Sequence, residues 1–483
     1  MAGMTGRDPA TGRDPATGRD PATGRDPATG RDLATGWDPA ADGAAWSVPV
    51  ADGAVRSVPV AGGAVPVLVL GVDAAGRPWP PAALAALAGA GLVVGAARHL
   101  AAVPVPPDVE TVVLGPLAPA LDRLTAAHAA GLPTVVLASG DPGFFGVVRR
   151  LRAAGLPVRV LPAVSSVAAA FARAGLDWDG TVVVTAHGRD LGPALHACRA
   201  LPAVAVLTAP GAGATEIGAG LAGWSRRLVV AEHLGSAAER VTWATPEQAA
   251  ARRWADPHVL LSLAAPAGAD RDADPATPAA VEPATPIGVG PVRADNQPAA
   301  APADGWALPE SAYRHRDSMI TKAEVRALAV ARLRPRLGRL VWDVGAGSGS
   351  VGIECALLGA AVIAVERDPA APIAVNAARH GVDVRVVTGD APAVLRGLPD
   401  PDAVFVGGGG TAVLTAVADR RPARVVVTLA ALDRIAPAVH LLRAAGYTVT
   451  GSQLTAARLA DLPDGSIRLA ATNPVVVLTG ERP

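Results

Sequence analysis

Cysteine, lysine and aromatic side chains are all scarce in this chain. Only two cysteines, Cys198 and Cys355, occur in 483 residues, and they stand far apart. They make no CxxC pair and no framework of bridges, so neither a disulfide-stapled fold nor a cysteine-bound metal site is expected. That usage suits a reducing cytoplasm. The formal net charge is zero, so no basic surplus draws the chain to nucleic acid. No apolar run reaches the ~18–20 residues that cross a bilayer. The N-terminus carries charge at regular intervals and lacks the apolar core of a signal peptide. The expectation is a cytoplasmic chain with no membrane or nucleic-acid partner and no metal. Lys322 is the only lysine. The arginine, alanine, glycine and proline bias that surrounds it reads as compositional rather than functional.

Half the residues are apolar, enough for sizeable cores, and the length suggests roughly two to four domains. Residues 5–40 repeat the hexamer TGRDPA, and a looser ten-residue echo follows, ADGAAWSVPV then ADGAVRSVPV. A unit with glycine and proline in every copy cannot sustain a helix, so 1–65 reads as a disordered tail. From 66 to 264, short valine-rich runs alternate with Ala/Leu helices. Strands are expected at 67–70, 93–94, 112–114, 134–137, 158–161, 181–185, 204–208, 228–232 and 259–263, in largely parallel sheets. Residues 265–304 are rich in Ala, Pro, Asp and Thr and read as a linker. Residues 305–483 form a second α/β unit. Its helices are expected at 322–333, 351–358 and 370–380. Strands at 339–344, 362–366, 384–388, 403–406, 424–428, 447–453 and 474–478 give a single doubly wound sheet. The fold class is therefore α/β twice over.

The strongest local signal is LVWDVGAGSGSVGIECA, 340–356. An apolar strand ends in Asp343, then Gly345, Gly347 and Gly349 fall at GxGxG spacing, with Ala346 and Ser348 between them, and a helix begins. Glycines permit positive φ and close approach of a ligand to the backbone. A dinucleotide fingerprint would place glycine at 350, where this chain has Ser350. An acid at 343 suits a ligand carrying positive charge, such as an ammonium or sulfonium. Glu366 ends the next strand, about 20 residues past the start of the loop, where an acid accepts from ribose hydroxyls. Asp390 and Ala391 follow the third strand and can face an adenine. The ordered set points to S-adenosylmethionine, with a nicotinamide cofactor or a plain packing turn as the alternatives.

Two further segments add candidates. Thr321 stands where a helix cap would, with Glu324 three residues on, as in a capping box. Lys322 hints at a need for an amine, against a plain helix-start reading. VFVGGGGT ends the fourth strand in four glycines, which no packing need requires. Gly408 and Gly409 are candidates for a backbone surface under a large flat ligand, against the alternative of a flexible loop. His315, flanked by Arg314 and Arg316, is a candidate carboxylate contact.

In the first unit, VVLASGDPGFFG runs a buried strand into Gly140, Asp141, Phe144 and Phe145. The two phenylalanines either face a ligand or pack in the core. This motif resembles the tetrapyrrole methylase family, which methylates uroporphyrinogen and precorrins. The loop 71–76, with Gly71 and Asp73, is similar to the family's first motif in a divergent form that lacks the usual GPG. VVGAARHL, PAVSSVAAAFARAGLDWD with Ser165 and Ser166, TAHGRD with His187, and AEHLGSAAER resemble further family motifs. LPESAY, ITKAEVRAL, WDVGAGSGSVGIE, ERDP, VFVGGGG and TNPVVVLTG resemble the family's decarboxylating methyltransferase partner. The resemblance covers 66–264 and 305–483, in the expected order.

It implies an S-adenosylmethionine-dependent C-methyltransferase of cobalamin biosynthesis acting on a small-molecule tetrapyrrole. The first domain would methylate carbon 5. The second would methylate carbon 15 and remove the carboxyl of the ring C acetate. It implies cofactor contacts at Thr321, Asp343, 345–349, Glu366, Asp390 and Ala391, and in the first domain at Gly140, Asp141, Phe144, Ser165 and Ser166. It implies substrate contacts at Gly71, Asp73, His187, Lys322, Gly408 and Gly409, and a homo-oligomer. The alternatives are a methyltransferase on RNA or protein, which GDPGFFG and the zero net charge oppose, and a non-catalytic S-adenosylmethionine-binding scaffold, which the intact second loop opposes.

Overall fold

A computed structural model describes residues 65–78, 82–115, 117–265, 305–316 and 320–482. The tail expected at 1–65 and the linker at 265–304 fall, but for residue 65 and residue 265, outside the described residues. The chain divides into two compact units, Met1–Ala163 and Val164–Pro483.

In the first unit, strands β1 (Val67–Val72), β2 (Leu92–Gly95), β3 (Glu110–Val113), β4 (Thr134–Ser139) and β5 (Val158–Leu161) form one sheet in the order β3-β2-β4-β1-β5. Every pairing is parallel. β1, β2 and β4 are near-continuous runs of Val, Leu and small residues, the composition of strands covered on both faces. One face packs Val69, Val94 and Val136 against Leu124 and Leu151 from helices. The other packs Leu70, Val93 and Leu137 against Leu87.

The second unit opens with β6 (Val182–Thr185), β7 (Ala203–Leu207), β8 (Arg226–Glu232), β9 (Arg240–Ala244) and β10 (His258–Ala264), in the order β6-β7-β10-β8-β9. Only β6 and β7 run parallel. The other three pairings are antiparallel, which corrects the expectation of largely parallel sheets. For β8 and β9 the physical reason is the connection 233–239, too short for the crossover that parallel neighbours need; the other two antiparallel pairings arise because β10 comes from later in the chain to lie between β7 and β8. β9, a half-polar RVTWA, is an element the sequence reading did not include.

The second sheet of this unit uses β11 (Leu340–Val344), β12 (Ala361–Glu366), β13 (Arg385–Thr388), β14 (Ala403–Val406), β15 (Arg424–Leu429) and β16 (Thr448–Leu454). An additional hairpin, β17 (Ala457–Asp461) with β18 (Ile467–Ala471), stands apart as a two-stranded sheet, and β19 (Val475–Glu481) returns to the main one. The order is β13-β12-β11-β14-β15-β19-β16. β11 to β15 are parallel, and β19 lies antiparallel between β15 and β16. The single doubly wound sheet is thus present, with the separate hairpin as a correction. Alternation along β11 sends Leu340, Trp342 and Val344 to one face and Val341 to the other. Trp224, from the turn before β8, packs into the first of these clusters.

Candidate functional site

β11, β12 and β13 are adjacent and parallel, so their carboxyl ends bring three short segments together, the edge at which open α/β sheets take ligands. The loop after β11 requires its glycines. Gly345, Gly347 and Gly349 have φ of 74°, 56° and 76°, a region that costs other L-residues strain. A Cβ at Gly345 would meet Gly408 N at 3.1 Å, and one at Gly349 would meet Ile373 Cγ2 at 2.8 Å. At Gly347 nothing lies within 4 Å, so the loop is open on that side. Gly345 N and Ala346 N donate to the Val365 carbonyl, which fastens the loop to β12. Ser348 is buried, and its carbonyl accepts from Asn376 Nδ2 at 2.9 Å.

Asp343 lies beneath the loop, 1% exposed. Its Oδ2 accepts from Gly352 N at 2.8 Å, whereas Oδ1 has no hydrogen-bond partner among the described residues. Burial pushes its pKa up to about 7. The Gly352 hydrogen bond opposes that shift and the Glu366 charge adds to it. Glu366 reaches into the loop from the end of β12. Its Oε2 accepts from Gly347 N at 2.8 Å, and Oε1 accepts from Arg367 N and Asp368 N at 2.9 and 3.1 Å. Asp390, exposed, and Ala391, half-buried, follow β13 and start the short helix Ala391–Val394. The structure therefore gathers Asp343, Gly345 to Gly349, Glu366, Asp390 and Ala391 at one sheet edge.

Two sequence-based expectations change here. The helix Ala323–Leu333 starts at Lys322, which caps it without a side-chain hydrogen bond. Thr321 contributes only its carbonyl, to Arg326 Nη1 at 2.7 Å, and Glu324 pairs with Arg458 Nη2 at 2.6 Å. No capping box forms, because a charge-assisted bond to a guanidinium outcompetes a reciprocal cap. The four glycines do answer packing needs. A Cβ at Gly407 would stand 3.1 Å from Gly345 O, one at Gly409 2.3 Å from Val413 Cγ2, and Gly409 and Gly410 have φ of 98° and 70°. Gly408 alone combines open space with an ordinary backbone.

Sequence reasoning missed the buried groups that brace this edge. Asn376 is 0% exposed; beyond Ser348, it bonds both Arg314 N and Arg314 O, at 2.7 and 2.8 Å. Glu354 accepts from Ala307 N, Leu308 N, Tyr313 Oη and Arg326 Nε. Both side chains stand in otherwise apolar helix faces, the one signal that could have flagged them.

In the first unit, the ends of β1 and β4 meet. A Cβ at Gly71 would lie 2.2 Å from Gly140 O and 2.3 Å from Ala163 N, so only glycine fits. Asp141 Oδ1 accepts from Gly143 N at 2.8 Å and shapes the turn. Phe144 and Phe145 are 46% and 48% exposed, with ring centroids 4.7 Å apart edge to face. Core packing is thereby excluded for both. Asp73 closes its own turn onto Arg77, accepting from its N at 2.8 Å and its Nε at 3.1 Å. Ser165 and Ser166 belong to the second unit, where Ser165 Oγ caps the helix Ser166–Ala174 through Ala168 N at 3.1 Å. His187 is exposed in the turn after β6.

Among the described residues no group of three His, Cys, Asp or Glu could hold a metal ion, and no helix is long and apolar enough to cross a membrane.

A family model described as a precorrin methyltransferase domain matches residues 311–470, and one described as tetrapyrrole (corrin/porphyrin) methylases matches 80–250. The chain is 42% identical over 295 residues to a Sinorhizobium sp protein called precorrin-6Y C(5,15)-methyltransferase [decarboxylating]. That alignment covers 58% of this chain and 63% of the relative, less than two thirds of its length. Identity to the Mycobacterium tuberculosis protein of the same name is 35% over 329 residues, 64% of this chain and 72% of that one. A probable cobalt-precorrin-6B C(15)-methyltransferase (decarboxylating) from Pyrobaculum calidifontis is 36% identical over 184 residues, 36% of this chain and 94% of the relative.

Proposed function

The chain belongs to the precorrin-6Y C(5,15)-methyltransferase (decarboxylating) family, and from that membership we propose that it methylates a reduced precorrin at carbons 5 and 15. In the same reading it removes the carboxyl of the ring C acetate, with S-adenosylmethionine as methyl donor. The observation that carries the reading is the edge of the seven-stranded sheet. There a buried Asp343 with an unpartnered oxygen underlies a loop of three positive-φ glycines, and Glu366 is bonded into that loop.

These residues fit the donor. The open side of the loop at Gly347 leaves room for it. Glu366 offers carboxylate oxygens to ribose hydroxyls, and Asp390 and Ala391 flank the adenine. Asp343 supplies a counter-charge for a cationic ligand. S-adenosylmethionine brings an activated methyl sulfonium, which an electron-rich ring carbon can attack. The protein's task is then mainly to hold and orient two reactants. For decarboxylation the macrocycle is the electron sink, so the chain has to place the acetate and exclude water. Lys322, at the start of its helix, and nearby arginines hold other carboxylates.

We assign carbon 5 to a domain at 66–264, where the exposed Phe144 and Phe145 offer a flat ligand an apolar platform. Carbon 15 and decarboxylation go to a domain at 305–483. We place the enzyme in the cytoplasm as a homo-oligomer without nucleic-acid or membrane partners. The test is mass spectrometry on the full chain with reduced precorrin-6 and S-adenosylmethionine. The expected product gains two methyl groups and loses one CO2. An unchanged substrate in the presence of bound donor would overturn the tetrapyrrole assignment.

A further inference from the structure

Ser139 ends β4, two positions before Asp141 of the GDPGFFG loop, and is exposed. Two side chains from the segment after β2 meet it. His99 Nε2 lies 2.9 Å from Ser139 Oγ, and Arg98 Nη2 donates to the same oxygen at 3.1 Å. β2 and β4 are adjacent parallel strands, so the three residues stand at the carboxyl edge of the first sheet, the ligand side of such sheets. Arg98 is exposed, whereas His99 is 7% exposed. Burial, then the Arg98 charge, hold the imidazole pKa down at about 4, against a smaller upward pull from the Leu137 backbone. The ring is therefore neutral at physiological pH, with one donor and one acceptor nitrogen. When Nε2 is the acceptor, Ser139 gives its proton to the ring, receives one hydrogen bond from Arg98 and keeps a lone pair facing outward. An exposed serine needs no buried imidazole and no guanidinium for the sake of the fold.

We propose that Ser139, backed by His99 and Arg98, is the proton acceptor for methylation at carbon 5. The inference rests on the function proposed above. As the C5–CH3 bond forms from a macrocycle electron pair, the CH3–S bond breaks and its pair returns to sulfur. The macrocycle gains one positive charge and becomes a strong acid. It then loses one proton to Ser139 Oγ while the serine's own proton passes to His99 Nε2; the low-pKa ring returns that proton to Oγ, and the exposed hydroxyl passes one on to solvent. Arg98 stabilises negative character on Oγ during the exchange.

The test uses the full chain, with methylation at the two carbons followed separately. Ser139→Ala is expected to lower kcat at carbon 5 about 100-fold, the scale of general acid–base catalysis. Decarboxylation and carbon 15 methylation should continue, so a singly methylated, decarboxylated product accumulates. A solvent deuterium isotope effect on the carbon 5 step should be present in the wild type and absent in Ser139→Ala, and Ser139→Thr should restore both rate and effect. Carbon 5 methylation by Ser139→Ala within threefold of the wild type would overturn the proposal, as would loss of donor binding in that variant. A wild-type enzyme that methylates neither carbon would instead overturn the function from which the proposal starts.

Discussion

Asp343 couples the site to pH. Its pKa rises from 3.8 in an ordinary setting to about 7 in the fold, with burial as the largest cause. Between those values the folded chain holds a proton that the unfolded chain has lost. Its contribution to stability is therefore full below about pH 4 and is lost as pH rises through 7. Asp343→Asn keeps an oxygen for Gly352 N and removes the titration. It should raise the unfolding temperature relative to the wild type at pH 8, with the gap closing toward pH 4. Donor affinity should move the other way. A sulfonium or ammonium favours the carboxylate, so binding in the second domain should tighten from pH 6 to pH 8 in the wild type. In Asp343→Asn it should be flat with pH and about tenfold or more weaker, the worth of a hydrogen bond to a charged group. Calorimetric titration at three pH values reads both. A wild-type affinity that does not vary with pH would remove Asp343 from the ligand's surroundings.

The helix Ser350–Leu357 starts at the glycine loop and buries Glu354 against Arg326, both side chains 0% exposed, with Nε–Oε1 at 2.6 Å. Removing one partner of such a pair strands the other charge in the core. Glu354→Ala should therefore cost about 3–5 kcal/mol. Glu324 pairs with Arg458 at the same 2.6 Å, but both side chains are over a third exposed, at 40% and 38%. Glu324→Ala should cost less than about 1 kcal/mol. Denaturant midpoints of the two variants separate these expectations, and equal shifts would refute the burial argument. The same contrast explains what could be read from sequence. The glycine loop was legible because positive φ at three fixed positions demands glycine, and β11, β12 and β14 because buried parallel strands are near-continuous apolar runs. β9, β17 and β18 are half polar and short, so periodicity passed over them, although the Pro463-Asp464-Gly465 turn before β18 was a usable hairpin signal. The antiparallel order of the second sheet depends on pairings between distant strands. Glu354 and Asn376 gain their meaning from Arg326 and Arg314, 28 and 62 positions away, which no local pattern encodes.

At the scale of the whole molecule, the chain carries two candidate donor loops on two different sheets. One follows β4 at Gly140 and Asp141; the other follows β11 at Gly345 to Gly349. Each loop has a close backbone fit within its own unit. Gly71 fits against Gly140 within the first unit, and Gly345 fits against Gly407 and Gly408 within the second. Occupancy should then be additive, with two S-adenosylmethionine equivalents per chain in a calorimetric titration. Gly347→Asn is the discriminating variant. Asparagine is among the few side chains that tolerate left-handed backbone, and no protein atom lies within 4 Å of a Cβ built there. The fold should survive while the side chain occupies the space left for the donor. The variant is expected to bind one equivalent, to keep methylation at carbon 5, and to lose carbon 15 methylation together with CO2 release. Loss of both methylations in a folded Gly347→Asn would mean that the first loop works only when the second is occupied. A single equivalent in the wild type, abolished by the same substitution, would mean that the divergent loop at 71–76 leaves the first domain without a donor of its own.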